Sequence, residues 1–231
     1  MTTHEQYTAA FWDERYGATE RVWSGAPNAV LVQEVADLAP GTALDVGSGE
    51  GGDAVWLAAR GWRVTAIDVS RVALDRVATR AGAEGVADRV TTRVVDLFEV
   101  CGLRRGGSAA LRAAPLPGGF DLVTVHFMQL PGADRPRLYG SIAEAVAPGG
   151  TLLIVGHDPE GMPPEAGQHG GHHHPPDMFA TAEELVTELG DALAGWTIEV
   201  AERRGRDAVQ PDGRPRFLYD AVLRARRPET G

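Results

Sequence analysis

Residues 42–58, TALDVGSGEGGDAVWLA, set an apolar run, a turn carrying Gly47, Gly49, Gly51 and Gly52, and an apolar-rich helical stretch side by side. A strand that enters a helix through so many glycines makes a tight turn whose bare backbone admits a close ligand beside the helix amino terminus. Such a strand pairs in parallel with its neighbours, because its crossover is a helix rather than a hairpin. The turn therefore constrains the whole chain to an α/β architecture.

The rest of the 231 residues keeps that rhythm. Apolar segments at 42–47, 63–69, 90–96, 120–127, 151–156, 197–203 and 216–224 read as strands. Helices are expected between them. The segment 27–38 has Pro27 at the first helical position, 134–147 has Asp134 as cap with Pro136 just inside, and 181–194 opens with the capping box Thr181 and Glu184. Only residues 204–215, with a turn at Pro211-Asp212-Gly213, separate the last two strands. That is too short for a crossover helix, so these two strands are expected to pair antiparallel. Two stretches break the pattern: 102–119, read as a surface excursion, and 157–178, a long Gly-, Pro- and His-rich loop after the fifth strand, where ligands sit in this architecture. No repeat or second domain is visible, so residues 1–231 read as one domain.

Composition narrows the chemistry. All 22 basic residues are Arg, so every reaction built on a lysine amine is excluded, including Schiff bases and phosphate-loop lysines. A net charge of −10 argues against a nucleic-acid partner, no apolar run is long enough for a membrane span, and no secretory leader is visible. The single Cys101 excludes an internal disulfide and a multi-cysteine metal site, which suits a reducing cytoplasm. The expected partner is a small-molecule substrate, handled by a cytoplasmic monomer or homodimer.

The glycines alone leave two ligands open. Gly47-x-Gly49-x-x-Gly52 satisfies the dinucleotide fingerprint, and Gly47-x-Gly49-x-Gly51 a looser nucleoside pattern. Asp45 precedes the turn, and Glu50 lies in it where a pyrophosphate would be accommodated, which favours a cationic, zwitterionic ligand. Asp68 ends the second strand, spaced to bind ribose hydroxyls, and Asp96 ends the third, where it can face an adenine amine.

With these residues the chain resembles the class I S-adenosylmethionine-dependent methyltransferases. LDVGSGEGG, AIDVS, VVDL, FDLVTVHF and APGGTLLIV stand in that family's order over most of the chain. The resemblance implies a seven-stranded Rossmann-like, doubly wound sheet in the order 3-2-1-4-5-7-6 with strand 7 antiparallel, S-adenosyl-L-methionine as cofactor and S-adenosyl-L-homocysteine as product. It implies cofactor contacts at Asp45, Gly47, Ser48, Gly49, Asp68, Val69, Ser70, Asp96, Leu97 and His126. FWDERYG followed by VWSGAPNAVL is similar to the lead-in of tellurite-resistance and thiopurine-type methyltransferases, which implies an amino-terminal lid over 1–40. Trp12, Tyr16, Trp23 and Asn28 then become candidates for the lid and for a carboxylate contact; Trp12 reads equally as the apolar face of a helix.

Methyl transfer from a sulfonium depends on alignment and exclusion of water, and on a base only where the nucleophile arrives protonated. His126, at the end of the fourth strand, and His157, at the end of the fifth beside Asp158, are the catalytic candidates, each readable also as a packed histidine. The N-methylating Asn/Asp-Pro-Pro-aromatic motif is replaced by His126-Phe127-Met128-Gln129, which disfavours amide or exocyclic amine acceptors. His169, His172, His173 and His174 are weak metal candidates in a loop with little preorganisation. The runs Arg203, Arg204, Arg206 and Arg224, Arg226, Arg227 read as solvated surface. Two alternatives to a methyltransferase acting on S, Se/Te, O or N remain: a nicotinamide-dependent oxidoreductase, and a non-catalytic nucleoside- or metal-binding protein.

Overall fold

The computed structural model describes residues 5–103, 119–160, 176–209 and 215–229. Seven strands form one sheet: β1 (Thr42–Val46), β2 (Arg63–Asp68), β3 (Val90–Val94), β4 (Phe120–His126), β5 (Val146–His157), β6 (Thr197–Val209) and β7 (Pro215–Arg226). Their order is β3-β2-β1-β4-β5-β7-β6, with β1 to β5 parallel and β7 antiparallel to both β5 and β6. The expected topology and its final hairpin are therefore observed.

The sheet is buried on both faces, which is why its inner strands are continuous apolar runs. Leu44, Val46, Val123, Val125, Leu152 and Ile154 point to one side, where they meet α6 (Arg135–Ala143) and α7 (Ala182–Glu188). Ala43, Val64, Ala66, Leu122, Leu153 and Val155 point to the other, against α2 (Ala29–Glu34), α3 (Gly52–Ala59) and α4 (Arg71–Ala83). On α4 the buried Ala73, Leu74, Val77 and Ala81 recur on one face at helical spacing. Truncating a fully buried leucine such as Leu44 in this packing costs about 2–5 kcal/mol.

Several boundaries differ from the sequence expectation. Pro27 is not the first helical residue; Asn28 caps α2, its side-chain oxygen accepting from Val30 N at 2.8 Å. The α2 helix also stops at Glu34, and α6 ends at Ala143 because β5 begins at Val146, five residues earlier than its apolar core. Asp134 precedes α6 without a side-chain cap bond. Thr181 and Glu184 do form the capping box, but α7 ends at Glu188 rather than 194. β6 and β7 extend past His157, the end of β5, so their tips overhang the sheet edge. The turn at 211–213 and most of the 102–119 excursion lie outside the described residues.

Two further helices complete the site: α1 (Ala9–Gly17), capped by Thr8, and α5 (Leu97–Val100), capped by Asp96. No helix among the described residues is long and apolar enough to cross a membrane.

Candidate active site

The carboxyl ends of the parallel strands open into a crevice of about 880 Å³. This is where a doubly wound sheet places its ligand. Its floor is the glycine turn, in which Gly47, Gly49 and Gly51 all take positive φ. At Gly49, with φ +50°, an added Cβ would lie 3.0 Å from the Tyr16 hydroxyl and 3.3 Å from Trp23 Nε1. Tyr16 and Trp23 thus lie directly over the bare backbone, joined by a 3.0 Å hydrogen bond from Trp23 Nε1 to the Tyr16 hydroxyl. Trp23 stays half exposed, whereas Tyr16 is buried and its phenol is pushed up by desolvation and by the Asp68 charge. Trp12 packs against Tyr16 with ring centroids 5.6 Å apart and also lines the crevice.

Glu50 does something different from what its place in the turn suggested. Its carboxylate turns back to accept from the backbone N–H groups of Val22 and Trp23 and pairs with Arg76. The same guanidinium donates to the carbonyls of Tyr16 and Thr19. Glu50 therefore straps the amino-terminal segment to the turn, and its neutralised charge does not itself exclude a phosphate ligand.

Asp68 closes β2, whereas Asp96, expected at the end of the third strand, lies two residues past β3 as the cap of α5; both line the crevice, with one exception among their neighbours. Asp68 accepts from Gly49 N and Ser70 N, each at 2.9 Å, and burial raises its carboxyl above the usual value. Asp96 accepts from Phe98 N and Glu99 N while facing the crevice beside Leu97, and Val69 lines the same wall. Ser70 is the exception. It is fully buried as the cap of α4, its hydroxyl donating to Asp13 at 2.5 Å and accepting from Ala73 N, so it supports Asp68 from behind rather than facing a ligand.

A tighter group lies between β1, α3 and β4. Asp45 accepts from the Thr124 hydroxyl at 3.1 Å through Oδ1, while His126 Nδ1 meets Asp53 Oδ2 at 2.6 Å. Burial, reinforced by the Asp53 charge, lifts the Asp45 carboxyl to about 7. Burial also acts to raise Asp53, but the His126 imidazole and the Asn28 N–H outweigh it and hold Asp53 below the usual range. Asp53 is therefore the carboxylate that receives the His126 Nδ1–H. Ligating atoms of Asp45, Asp53 and His126 lie within 4.8 Å of one another, a donor set able to hold a cation. Among the described residues six buried side-chain polar atoms have no partner, and four of them, on Asn28, Asp45, Ser48 and His126, belong to the crevice wall.

On the β5 side His157 Nδ1 lies 3.3 Å from Asp220 Oδ1, and Asp220 Oδ2 receives Arg206 Nε at 2.6 Å. Arg204 and Arg206 line the crevice. The expectation of solvated surface fails for them because the overhanging hairpin turns one face of β6 inward. It fails also for Arg224, which is 11% exposed and binds Glu34 O, Asp37 and Glu199. Asp158 is buried against Arg203. His169, His172, His173 and His174 lie outside the described residues.

Sequence reasoning missed Asp53, Asp220, Arg206 and Phe127. An acid in the first turn of a helix reads as a partner of the helix dipole, which hid Asp53. Asp220 did leave a signal, a lone charge inside the apolar run FLYDAVL.

This topology, with a glycine turn after β1 and an acid closing β2, defines the class I S-adenosylmethionine-dependent methyltransferase fold. Residues 43–150 match the family model described as a methyltransferase domain. The match spans β1 to the first residues of β5, and the fold of the whole chain is that of the class I S-adenosylmethionine-dependent methyltransferases, whose cofactor is S-adenosylmethionine. Many solved structures are similar in fold, among them the following three. One comes from work on the conversion of a disulfide bond into a thioacetal group during echinomycin biosynthesis; it is 22% identical, with 96% of this chain and 93% of that one covered, at a TM-score of 0.72. TehB from Haemophilus influenzae is 17% identical over 95% of this chain and 66% of its own, at 0.65. Magnesium protoporphyrin IX methyltransferase from Synechocystis PCC 6803, solved with bound S-adenosylhomocysteine, is 19% identical over 86% and 80%, at 0.58.

The wall fits the cofactor's zwitterionic end. An imidazole that gives Nδ1–H to Asp53 presents Nε2 as a lone pair, which stands with Asp45 Oδ2 as an acceptor for an ammonium. Asn28, whose oxygen is spent on capping α2, retains Nδ2–H donors for a carboxylate.

Proposed function

We propose that this protein transfers the methyl group of S-adenosylmethionine to a small-molecule nucleophile. The observation that carries the proposal is the set of orphaned polar atoms on Asn28, Asp45 and His126 in one crevice, a pattern complementary to an amino-acid head group. Buried polar atoms without partners cost about 1–3 kcal/mol each, so a ligand that satisfies them gains correspondingly.

The cofactor supplies the methyl group and the sulfonium that releases it. The chain's own residues bind and align. Asp68 is placed for ribose hydroxyls and Asp96 for the adenine side. Asp45, with His126, takes the ammonium. Tyr16, Trp23 and the strap through Glu50 and Arg76 close the amino-terminal segment over the crevice and exclude water, which an in-line displacement of a sulfonium requires. His126 belongs in this account to the cofactor end, because its free nitrogen shares the neighbourhood of Asp45. His157, on the β5 side, faces the space left for the acceptor. The single Cys101 is buried, which suits a reducing cytoplasm, where the protein acts as a monomer or homodimer.

The test is an assay for S-adenosylhomocysteine release over thiols, selenite, tellurite, phenols and amines. Turnover with at least one acceptor is expected; cofactor binding with no turnover on any of them would favour the non-catalytic reading.

A further inference from the structure

The β5, β7 and β6 side of the crevice carries a group of side chains for which the cofactor has no use. Asp220 is 1% exposed and stands opposite His157 in the β5–β7 register. A carboxylate buried that deeply is costly unless it is paired on both oxygens. Here it is paired, with the His157 ring from β5 on one oxygen and Arg206 Nε from β6 on the other. The neighbouring acid, Asp158, is held separately by Arg203.

Phe127 marks the same spot. It has φ +52°, a left-handed conformation that costs an aromatic residue energy and that persists where the surroundings impose it. Its N–H bonds to Val155 O at 2.7 Å, its ring lies 4.6 Å from the His157 ring, and the Arg206 guanidinium stands 5.5 Å from its centroid. The Phe179 ring centroid is 6.5 Å from that of His157. Together these residues line an aromatic part of the crevice with one oriented imidazole.

We propose that His157 is the proton acceptor for the methyl acceptor, that Asp220 positions it, and that the acceptor is a weakly acidic thiol or phenol carried on a flat ring that packs on Phe127. This rests on the methyltransferase reading. With Nδ1–H directed at Asp220, the nitrogen left to the acceptor is His157 Nε2. In the transfer, the acceptor's S or O forms a bond to the methyl carbon, its proton passes to His157 Nε2, and the carbon–sulfur electron pair of the sulfonium returns to sulfur. The products are the methylated acceptor, S-adenosylhomocysteine and an imidazolium. An acceptor that arrives already ionised needs none of this, which is what makes the assignment testable.

Two variants and two readouts test it. In ligand-free protein labelled with 15N-histidine, His157 is expected as the Nδ1–H tautomer. Asp220→Asn is expected to shift it to the Nε2–H tautomer, because the amide oxygen stays with Arg206 and the amide N–H then faces Nδ1. In kinetics, His157→Gln and Asp220→Asn are expected to lower kcat roughly 100-fold with phenol or benzyl thiol, within the usual range for a general base, and only a few-fold with 4-nitrothiophenol, which is ionised at neutral pH. Equal losses on both kinds of acceptor, an unchanged tautomer, or no loss on either would overturn the base assignment. Methylation of tellurite and amines with none of any thiol or phenol would overturn the acceptor class. S-adenosylhomocysteine affinity, measured by calorimetry on the same samples, separates these outcomes from failure of the methyltransferase reading, which predicts unchanged affinity in both variants.

Discussion

Asp45 is 3% exposed, bonded through one oxygen to Thr124 and unpartnered at the other. Its position two residues before Gly47 makes it visible in the sequence, but its energetic state is set first by burial and then by Asp53, which raises its carboxyl, and His126, which lowers it, both from other elements. With its carboxyl raised from 3.8 to about 7, the ligand-free protein holds a proton there that the unfolded chain releases near 4. That group therefore contributes stability which is full below about pH 4 and is lost as pH rises through 7. Binding runs the other way, because an ammonium needs the ionised carboxylate. Calorimetry is expected to show S-adenosylhomocysteine affinity falling roughly fivefold from pH 7 to pH 6 in the native protein. Asp45→Asn is expected to weaken binding by about 2 kcal/mol at pH 8, roughly 30-fold, and to flatten that dependence. An unchanged affinity in Asp45→Asn would remove the carboxylate from the cofactor site.

The glycine turn and the amino-terminal segment act as one element. At Gly51, with φ +80°, an added Cβ would lie 2.9 Å from Val77 Cγ2. Gly51→Ala therefore combines left-handed strain with overpacking and is expected to cost about 2–3 kcal/mol, read as a lowered denaturation midpoint. Arg76 holds the segment to the turn through Glu50 and the carbonyls of Tyr16 and Thr19. A lysine cannot span three acceptors with one point charge, so Arg76→Lys is expected to raise protease sensitivity within residues 17–24 and to weaken cofactor binding several-fold. Limited proteolysis with and without S-adenosylhomocysteine reads both effects. Strand positions were legible in the sequence because β1, β4 and the core of β5 are buried on both faces and read as near-continuous apolar runs. The ends of α2, α6 and α7 were less so, since amphipathic spacing continues into turns that tertiary packing terminates. The role of Glu50 was not legible, because its partners lie 26 to 28 residues away.

Across the molecule, arginine performs the work of fastening. Arg204 binds Glu34, Arg224 binds Glu34 O and Asp37, and Arg80 binds Gly25 O, so α2 and the amino-terminal segment are tied to the hairpin and to α4. A chain without lysine can do this because a guanidinium offers five donors in a fixed fork. The topology was readable from order alone: five motifs and a final hairpin too short for a crossover. On the β5, β6 and β7 side only His157 was legible, because Arg204 and Arg206 look like surface charge when taken along the chain and Asp220 meets them only through the pairing of β7 with β5 and β6. Glu50, turned away into its strap, no longer argues against a dinucleotide, so the cofactor claim rests on the orphaned atoms around Asp45 and on the matched domain. Calorimetric titration of the intact protein with S-adenosylhomocysteine and, separately, with NAD tests that claim most directly. Saturable one-to-one binding of the sulfur nucleoside with no heat from NAD is the expected result; binding of NAD, or no binding of S-adenosylhomocysteine, would contradict it.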